Sequence, residues 1–389
     1  MSSTTQGMLH PVSMKHRAKH GAMWVALTSA AAVPMAYYRN WIFGRIGETG
    51  EVVGQYAIIL LFIQIVMTFV LFGGSTVVTN YLPKIKRQED KSAFLLAYAL
   101  LSVAAVIVFV ALMNLFPSMV SFLIRKPVSL PILRVLSLLA PTIVFSQMVV
   151  FSLAGLLEFK LSSLLSQIQI VLMCTLGTAL FFFHSEDVAS HATILFATAI
   201  GLAHFVVIVI GIRRVLASLP GFTSRLYLPA GFWRFSFFIH LNTISTFAYG
   251  SIDQLFVLSA LGTKELGAYF ILLQCAQLIT FVPKRISQVM LASFSHLVGS
   301  GNHAELLSAY TKLCRMILIF STPLTLLMIL FSHPIARLFG EWYAERHFYL
   351  LFLAGAIHIG SLGNVNSMLI MAKESTGIFL ANSIILISL

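Results

Sequence analysis

The sequence predicts an all-α, polytopic membrane protein with two six-helix lobes around a central cavity, the second lobe being incomplete. Composition, the length of the apolar runs and an internal repeat together predict this class. Of the 389 residues, 58% are hydrophobic and only 10% are charged, whereas a soluble domain has about 45–50% and about 25%. So few charges cannot cover so much apolar surface. The composition therefore excludes soluble enzymes, nucleic-acid-binding modules and secreted disulfide-rich proteins.

The apolar runs have the length of transmembrane helices, which need about 20 residues each. We expect spans over residues 22–43, 55–82, 93–116, 131–157, 161–183, 193–212, 235–261, 267–283, 313–332 and 347–371, with an eleventh beginning near 377. Transmembrane strands are excluded because the runs are too long and do not alternate. The loops between the runs are short, so none holds a soluble catalytic domain.

The basic residues predict the orientation of the chain. The net charge is +12, and cytoplasmic loops of membrane proteins retain lysine and arginine. With the N-terminus inside, 17 lysines and arginines fall on the inner side and eight on the outer side. We therefore predict a multi-pass protein with a cytoplasmic N-terminus.

Two segments, 54–64 and 267–277, share Gly, Tyr, Ile, Leu and Gln at the same spacing. The offset between them spans six helices and so preserves their orientation, as in transporters built from two repeats. The predicted organisation is a basic cytoplasmic N-terminus (1–20), an N-terminal lobe with spans 1–6 (21–216), a cytoplasmic linker (217–232) and a C-terminal lobe with spans 7–11 (233–389). The same offset places the partners of spans 5 and 6 near 374–425. We therefore expect about 40 further residues in a complete second lobe, the alternative being an intact eleven-span protein.

Several motifs resemble one family of membrane proteins. They are Arg45-Ile-Gly47 followed by Gly54-Gln-Tyr56, then Glu265-Leu-Gly267-Ala-Tyr269, and finally Phe339-Gly340 with Tyr343. In this order and spacing they resemble the O-antigen and exopolysaccharide flippases of the multidrug/oligosaccharidyl-lipid/polysaccharide exporter superfamily. The resemblance runs over roughly residues 20–389.

The resemblance implies a fold of at least twelve helices in two lobes, and a transporter rather than an enzyme. It implies that undecaprenyl-diphosphate-linked oligosaccharide is moved by alternating access across the bacterial cytoplasmic (inner) membrane, for lipopolysaccharide and other surface polysaccharides. The expected partners are that lipid-linked oligosaccharide, membrane lipids, H+ or Na+, and other polysaccharide-assembly proteins, without nucleic acid. No cofactor and no metal ion are expected.

Charged residues inside a predicted span are functional candidates because burying them in lipid is costly. Asp253 is the acidic residue that lies well inside a span, and the repeat offset maps it onto Asn40, beside Arg39. We expect Arg39 and Asp253 either to pair across the lobes or to contact substrate or a coupling ion. A guanidinium suits a diphosphate because it offers a planar set of donors.

Further candidates are amides in the spans and cations at their inner ends. Gln64 and Gln277 can bind sugar hydroxyls, although hydrogen bonding between helices is the more common role of such amides. Lys284 and Arg285, which follow Pro283, lie where a diphosphate would enter from the cytoplasm; anchoring by the positive-inside rule is the alternative.

Three further hypotheses stand beside the first, which is a flippase of lipid-linked oligosaccharide. A cation-coupled multidrug or small-molecule antiporter of the same superfamily needs acidic residues, and Asp253 is the one available within a span. A membrane-embedded glycosyltransferase needs catalytic residues on a sizeable outer loop. A truncated, inactive remnant is the fourth hypothesis. No phosphate-binding G-x-x-x-x-G-K-[ST] loop is present, so ATP does not drive this chain directly.

Overall fold

The computed structural model describes residues 11–46, 49–124, 130–182, 188–219, 225–281, 283, 294, 297–298 and 303–372. Within these ranges the chain is helical and contains no strand. The first half contains α1 (Pro11–Arg45), α2 (Glu51–Val70), α3 (Gly74–Tyr81), α4 (Gln88–Leu115), α5 (Pro117–Ile124), α6 (Leu130–Gly155), α7 (Phe159–Leu165), α8 (Ile168–Phe182) and α9 (Val188–Ala217). The second half contains α10 (Phe232–Leu261), α11 (Thr263–Ala276), α12 (His303–Leu330), α13 (Ser332–Arg337), α14 (Glu341–Ala344) and α15 (Phe348–Ala372). Single 3₁₀ turns follow α3, at Leu82–Lys84, and α11, at Gln277–Thr280.

Six helical stretches among the described residues are long and apolar enough to cross a membrane, and they lie on α2, α4, α6, α7 together with α8, α9 and α12. A seventh is added if the two parts of α10, which are bent by 41° relative to each other, count as one span. The predicted spans 22–43, 267–283 and 347–371 lie on α1, α11 and α15, which are not among these six. The reason for α11 is its length of 14 residues. The eleventh predicted span lies outside the described residues.

Glycine interrupts the second predicted span, 55–82, which forms two helices instead of one. Gly73 and Gly74 have φ values of +78° and +49°, a left-handed conformation that costs glycine little because it has no Cβ. Gly73 also lies against Ser236 of α10. The chain therefore changes direction between α2 and α3 at the point where it meets the second half.

Helix α2 packs along the second half over its whole length. Near its start the Tyr56 ring lies 6.0 Å from the Phe270 ring of α11. Further along, Gln64 accepts a hydrogen bond of 3.0 Å from Ser251 of α10. At its far end the Phe69 ring lies 6.3 Å from that of Phe247. The two halves therefore meet along one continuous seam.

The starts of α2 and α11 make the closest contact in this seam, and the contact is reciprocal. A Cβ built on Gly54 would lie 1.9 Å from the carbonyl oxygen of Thr263, and a Cβ built on Gly267 would lie 1.9 Å from that of Gly50. The offset of the internal repeat relates Gly50 to Thr263, just as it relates Gly54 to Gly267. The repeat found in the sequence is thus a pair of helix starts that pack backbone to backbone, which we call the glycine clasp.

A polar cluster lies beside the glycine clasp, at the end that the charge pattern predicts to be outside. Arg346 donates to Glu265 of α11 at 2.7 Å, and its guanidinium carbon lies 3.4 Å from the centroid of the Trp342 ring. Tyr349 of α15 donates to the second oxygen of Glu265 at 3.2 Å. The indole nitrogen of Trp342 lies against Gly50. These contacts hold α11, α14 and α15 together around the clasp.

Candidate functional site

Arg39 is buried in the first half, where only 7% of the residue is exposed. Its Nε and Nη2 atoms donate to Oδ1 of Asn40 at 3.1 and 2.8 Å. Its guanidinium carbon lies 4.9 Å from the centroid of the Tyr56 ring, and Tyr56 in turn packs against Phe196 of α9. The ion pairs found among the described residues involve other arginines. Arg39 is therefore a buried cation in contact with an amide and an aromatic ring, and no carboxylate of the described residues pairs with it.

Asp253 lies on α10 and has polar partners in the second half. Its Oδ2 accepts a short hydrogen bond from the Tyr269 hydroxyl, and its Oδ1 accepts one of 2.8 Å from the backbone N–H of Gln254. The predicted pair between Arg39 and Asp253 is therefore not formed in this structure. Each group has its partners within its own half: Arg39 donates to Asn40 and lies over the Tyr56 ring, whereas Asp253 accepts from Tyr269.

The remaining candidates are dispersed rather than gathered at one site. Gln64 bonds Ser251 across the seam, which is the helix-bonding role. Gln277 is exposed at the start of the 3₁₀ turn that follows α11. Lys284 and Arg285 lie outside the described residues. The candidate site thus consists of two separate parts, Arg39 with Asn40 in the first half and Asp253 in the second.

Sequence reasoning did not assign roles to the two tyrosines that complete these parts. Tyr56 and Tyr269 are the equivalent tyrosines of the internal repeat, and the same offset relates Asn40 to Asp253. Tyr56 lies against the guanidinium that Asn40 binds, and Tyr269 bonds Asp253 directly. The repeat therefore contained both tyrosines. It predicted which helices are equivalent, but it did not predict which residues the two tyrosines contact.

No group of three or more histidine, cysteine, aspartate or glutamate side chains that could hold a metal ion is found in the part of the chain that the structure describes. The three cysteines, Cys174, Cys275 and Cys314, are free.

Solved structures with a similar fold are membrane transporters. The chain is 15% identical to the lipid II flippase MurJ in an inward closed conformation, covering 93% of this chain and 78% of that chain with a TM-score of 0.69. It is 16% identical to an inward-facing multidrug resistance MATE family transporter of the MOP superfamily, covering 89% of this chain and 84% of that one, with a TM-score of 0.57. A MOP superfamily transporter from Pyrococcus furiosus is 17% identical, with 95% and 84% covered and a TM-score of 0.59. At these identities the likeness concerns the fold.

No curated protein matches the chain significantly. A family model described as "Polysaccharide biosynthesis protein" matches residues 50–346, which is well over half of the chain. The resemblance predicted from the sequence motifs is therefore confirmed: this chain is a multi-pass membrane protein of the polysaccharide biosynthesis family, with the fold of the MOP superfamily.

Proposed function

We propose that this protein flips undecaprenyl-diphosphate-linked oligosaccharide across the bacterial cytoplasmic membrane, with its N-terminus in the cytoplasm, by alternating access between the halves 21–216 and 233–389. The observation that carries the proposal is the buried Arg39, which lacks a carboxylate partner among the described residues. Membership of a polysaccharide biosynthesis family supports a glycan as cargo. The linker 217–232 joins the two halves.

The chemistry of Arg39 favours an anionic substrate. A buried charge is costly unless it is paired and hydrogen-bonded, and a single amide oxygen offsets only part of that cost. A diphosphate brings concentrated negative charge, and a guanidinium binds phosphate oxygens through two parallel hydrogen bonds. In this proposal the substrate supplies the counter-charge, since no carboxylate among the described residues pairs with Arg39.

The two halves must separate for a substrate to reach Arg39. The glycine clasp closes the predicted outer end, and Tyr56 connects Arg39 to it because its ring also touches Phe270 of α11. An anion that draws Arg39 away from the Tyr56 ring changes a contact at the seam. We infer that this coupling links substrate binding to the opening of the predicted outer end.

The experiment that tests the proposal measures flipping in reconstituted vesicles. The probe is a synthetic prenyl-diphosphate-linked oligosaccharide, and the fraction exposed to a membrane-impermeant glycosidase is followed over time. The Arg39→Ala variant should abolish flipping, and Arg39→Lys should retain part of it because lysine keeps the charge but loses the planar donors.

The matched control is Arg134→Ala, which removes an exposed arginine from α6. It should flip the probe at the wild-type rate. Normal flipping by the Arg39→Ala variant contradicts a central anion site at Arg39. The folded state of each variant is checked by its thermal midpoint in detergent.

A second function, cation-coupled export of small molecules, is favoured by Asp253. Its carboxylate lies on a predicted span and forms no ion pair with any residue that the structure describes. In the same vesicles, uptake of a cationic dye driven by a proton or sodium gradient tests this function. Dye transport that Asp253→Asn abolishes and Arg39→Ala retains would favour the antiporter.

A further inference from the structure

A basic cavity lies where the turn after α3 meets the segment that leads into α10. Its volume is about 430 Å³, within the range of small-ligand sites, about 300–1,000 Å³. The charge pattern predicts that this end of the molecule is cytoplasmic. We call it the turn cavity, and the residues that line it are Tyr81, Lys84, Ile85, Lys86, Arg87, Asp90, Tyr227 and Pro229.

The turn that carries the cations is firmly anchored. Leu82 is fully buried and packs so closely on α6 that a Cβ built on Gly155 would lie 2.9 Å from its side chain. Ile85 is also buried. Lys84 donates to Asn80 at 2.8 Å, which orients its ammonium group. The basic side chains therefore project from a fixed backbone, which lowers the entropic cost of binding.

The charges around the turn cavity are unbalanced. Lys84, Lys86 and Arg87 face one carboxylate, that of Asp90. None of these four groups belongs to an ion pair within the described ranges of the chain. The cavity therefore carries a surplus of positive charge, which suits an anion with at least two negative charges.

The opposite wall belongs to the linker that leads into the second half. Tyr227 and Pro229 lie in the segment before α10, which begins after Gly231 with φ of +77°. Tyr227 is 37% exposed, so its ring is accessible to a ligand. The turn belongs to the first half and this segment to the linker before α10, so an occupant of the cavity would touch both.

We propose that the turn cavity binds the diphosphate and first sugar of the lipid-linked substrate at the cytoplasmic surface, before transfer towards Arg39. Lys84 and Lys86 bind phosphate oxygens as point charges, and Arg87 binds them with its planar fork. Tyr227 packs against the sugar ring, and Asp90 accepts hydrogen bonds from sugar hydroxyls. This site rests on the proposed function and deepens it, since it names where that substrate first docks.

The experiment measures equilibrium binding to the full chain in nanodiscs of zwitterionic phosphatidylcholine. The probe is a short-chain prenyl-diphosphate N-acetylglucosamine, and phosphatidylglycerol is the competing lipid. Combined Lys84→Gln, Lys86→Gln and Arg87→Gln substitutions should weaken probe binding by at least about tenfold, a change of about 1.4 kcal/mol. Tyr227→Ala should weaken it several-fold, whereas Tyr227→Phe should not.

The matched control removes three exposed cations of the same predicted side, with Arg213→Gln, Lys312→Gln and Arg315→Gln, and should bind as the wild type does. Equal binding by the triple variant and this control overturns the proposal, as does a wild-type chain that does not bind the probe. Equal affinity for phosphatidylglycerol overturns the assignment to the substrate and indicates a site for any anionic lipid. Should the triple variant not fold, the single variants Lys86→Gln and Arg87→Gln carry the same test.

Binding is separable from transport. Arg39→Ala should lose flipping yet keep the binding that depends on the turn cavity. If the wild type binds the probe in this way but does not flip it, the docking site stands and the proposed function fails.

Discussion

Replacing Gly267 by alanine should loosen the contact between the two halves at the glycine clasp. The new Cβ would lie 1.9 Å from the carbonyl oxygen of Gly50 and 2.9 Å from the backbone nitrogen of Gly54. Both atoms belong to the backbone of the other half, so no side-chain rotation relieves the clash. Either α11 or α2 must move away from its present position.

The size of the effect follows from the cost of overpacking. Adding one methyl group to a close-packed site costs about 1–3 kcal/mol, and here the cost falls on the clasped state alone. A shift of that size changes the ratio of clasped to open molecules by about 5–150-fold. Hydrogen exchange read by mass spectrometry should therefore show faster exchange in peptides that cover residues 50–56 and 263–270.

The control for this prediction is Gly355→Ala on α15, where a built Cβ has no neighbour within 4 Å. It should leave exchange at the clasp unchanged. Gly54→Ala should reproduce the effect of Gly267→Ala, because its Cβ would meet Thr263 at the same 1.9 Å. Wild-type protection in both variants would refute the reasoning that backbone contact closes this end.

Three further substitutions test the polar contacts within the bundle. Ser146→Ala should destabilise the protein by about 1–3 kcal/mol, because it leaves the buried His204, now 2.6 Å from the Ser146 hydroxyl, without that partner. Glu265→Gln should lower the thermal midpoint, because it removes a charge-assisted hydrogen bond between partly buried side chains worth about 1.5–3 kcal/mol. Asp253→Asn should cost about 1 kcal/mol, because Tyr269 then donates to a neutral oxygen instead of a charged one.

Thermal midpoints in one detergent measure all three effects, and exposed positions provide the controls. Ser259→Ala on α10, an exposed serine whose hydroxyl bonds its own helix backbone, should change the midpoint little. Glu341→Gln breaks an exposed ion pair, which is worth about 0–1 kcal/mol. A loss for Glu265→Gln no larger than for Glu341→Gln would show that burial adds nothing to the first pair.

Most of the helical content could be predicted from apolar length, whereas the breaks could not. The predicted spans 93–116 and 193–212 correspond to α4 and α9. The spans 55–82 and 161–183 each form two helices, since the chain turns at 71–73 and at 166–167. Gly73 and Gly74 lie at the first turn with positive φ and Ser166 and Gln167 at the second, but the length of an apolar run does not tell whether such residues bend the helix.

The role of the candidate site residues stays a prediction, and the pair expected between Arg39 and Asp253 is not formed. Burial of Arg39 follows from its place in an apolar run, and the structure agrees. The prediction that Arg39 pairs with Asp253 assumed that two opposite charges within the membrane form an ion pair. That reasoning omitted Tyr56, whose ring contacts Arg39, and Tyr269, whose hydroxyl donates to Asp253. The distance between helices that lie far apart in the chain cannot be read from the periodicity of one sequence.

The repeat gives the two halves equivalent helices, but the polar side chains on these helices differ. Gly54 and Gly267 must remain glycine, because each contacts the backbone of the other half, so this part of the repeat is constrained by symmetry. Away from the clasp that constraint is absent. The repeat offset relates Asn40 in the first half to Asp253 in the second, so the two equivalent positions carry different side chains. A cation therefore lies beside Tyr56 and an anion beside Tyr269. The symmetric helices thus place a buried guanidinium in one half and a carboxylate in the other, each against the equivalent tyrosine of the repeat.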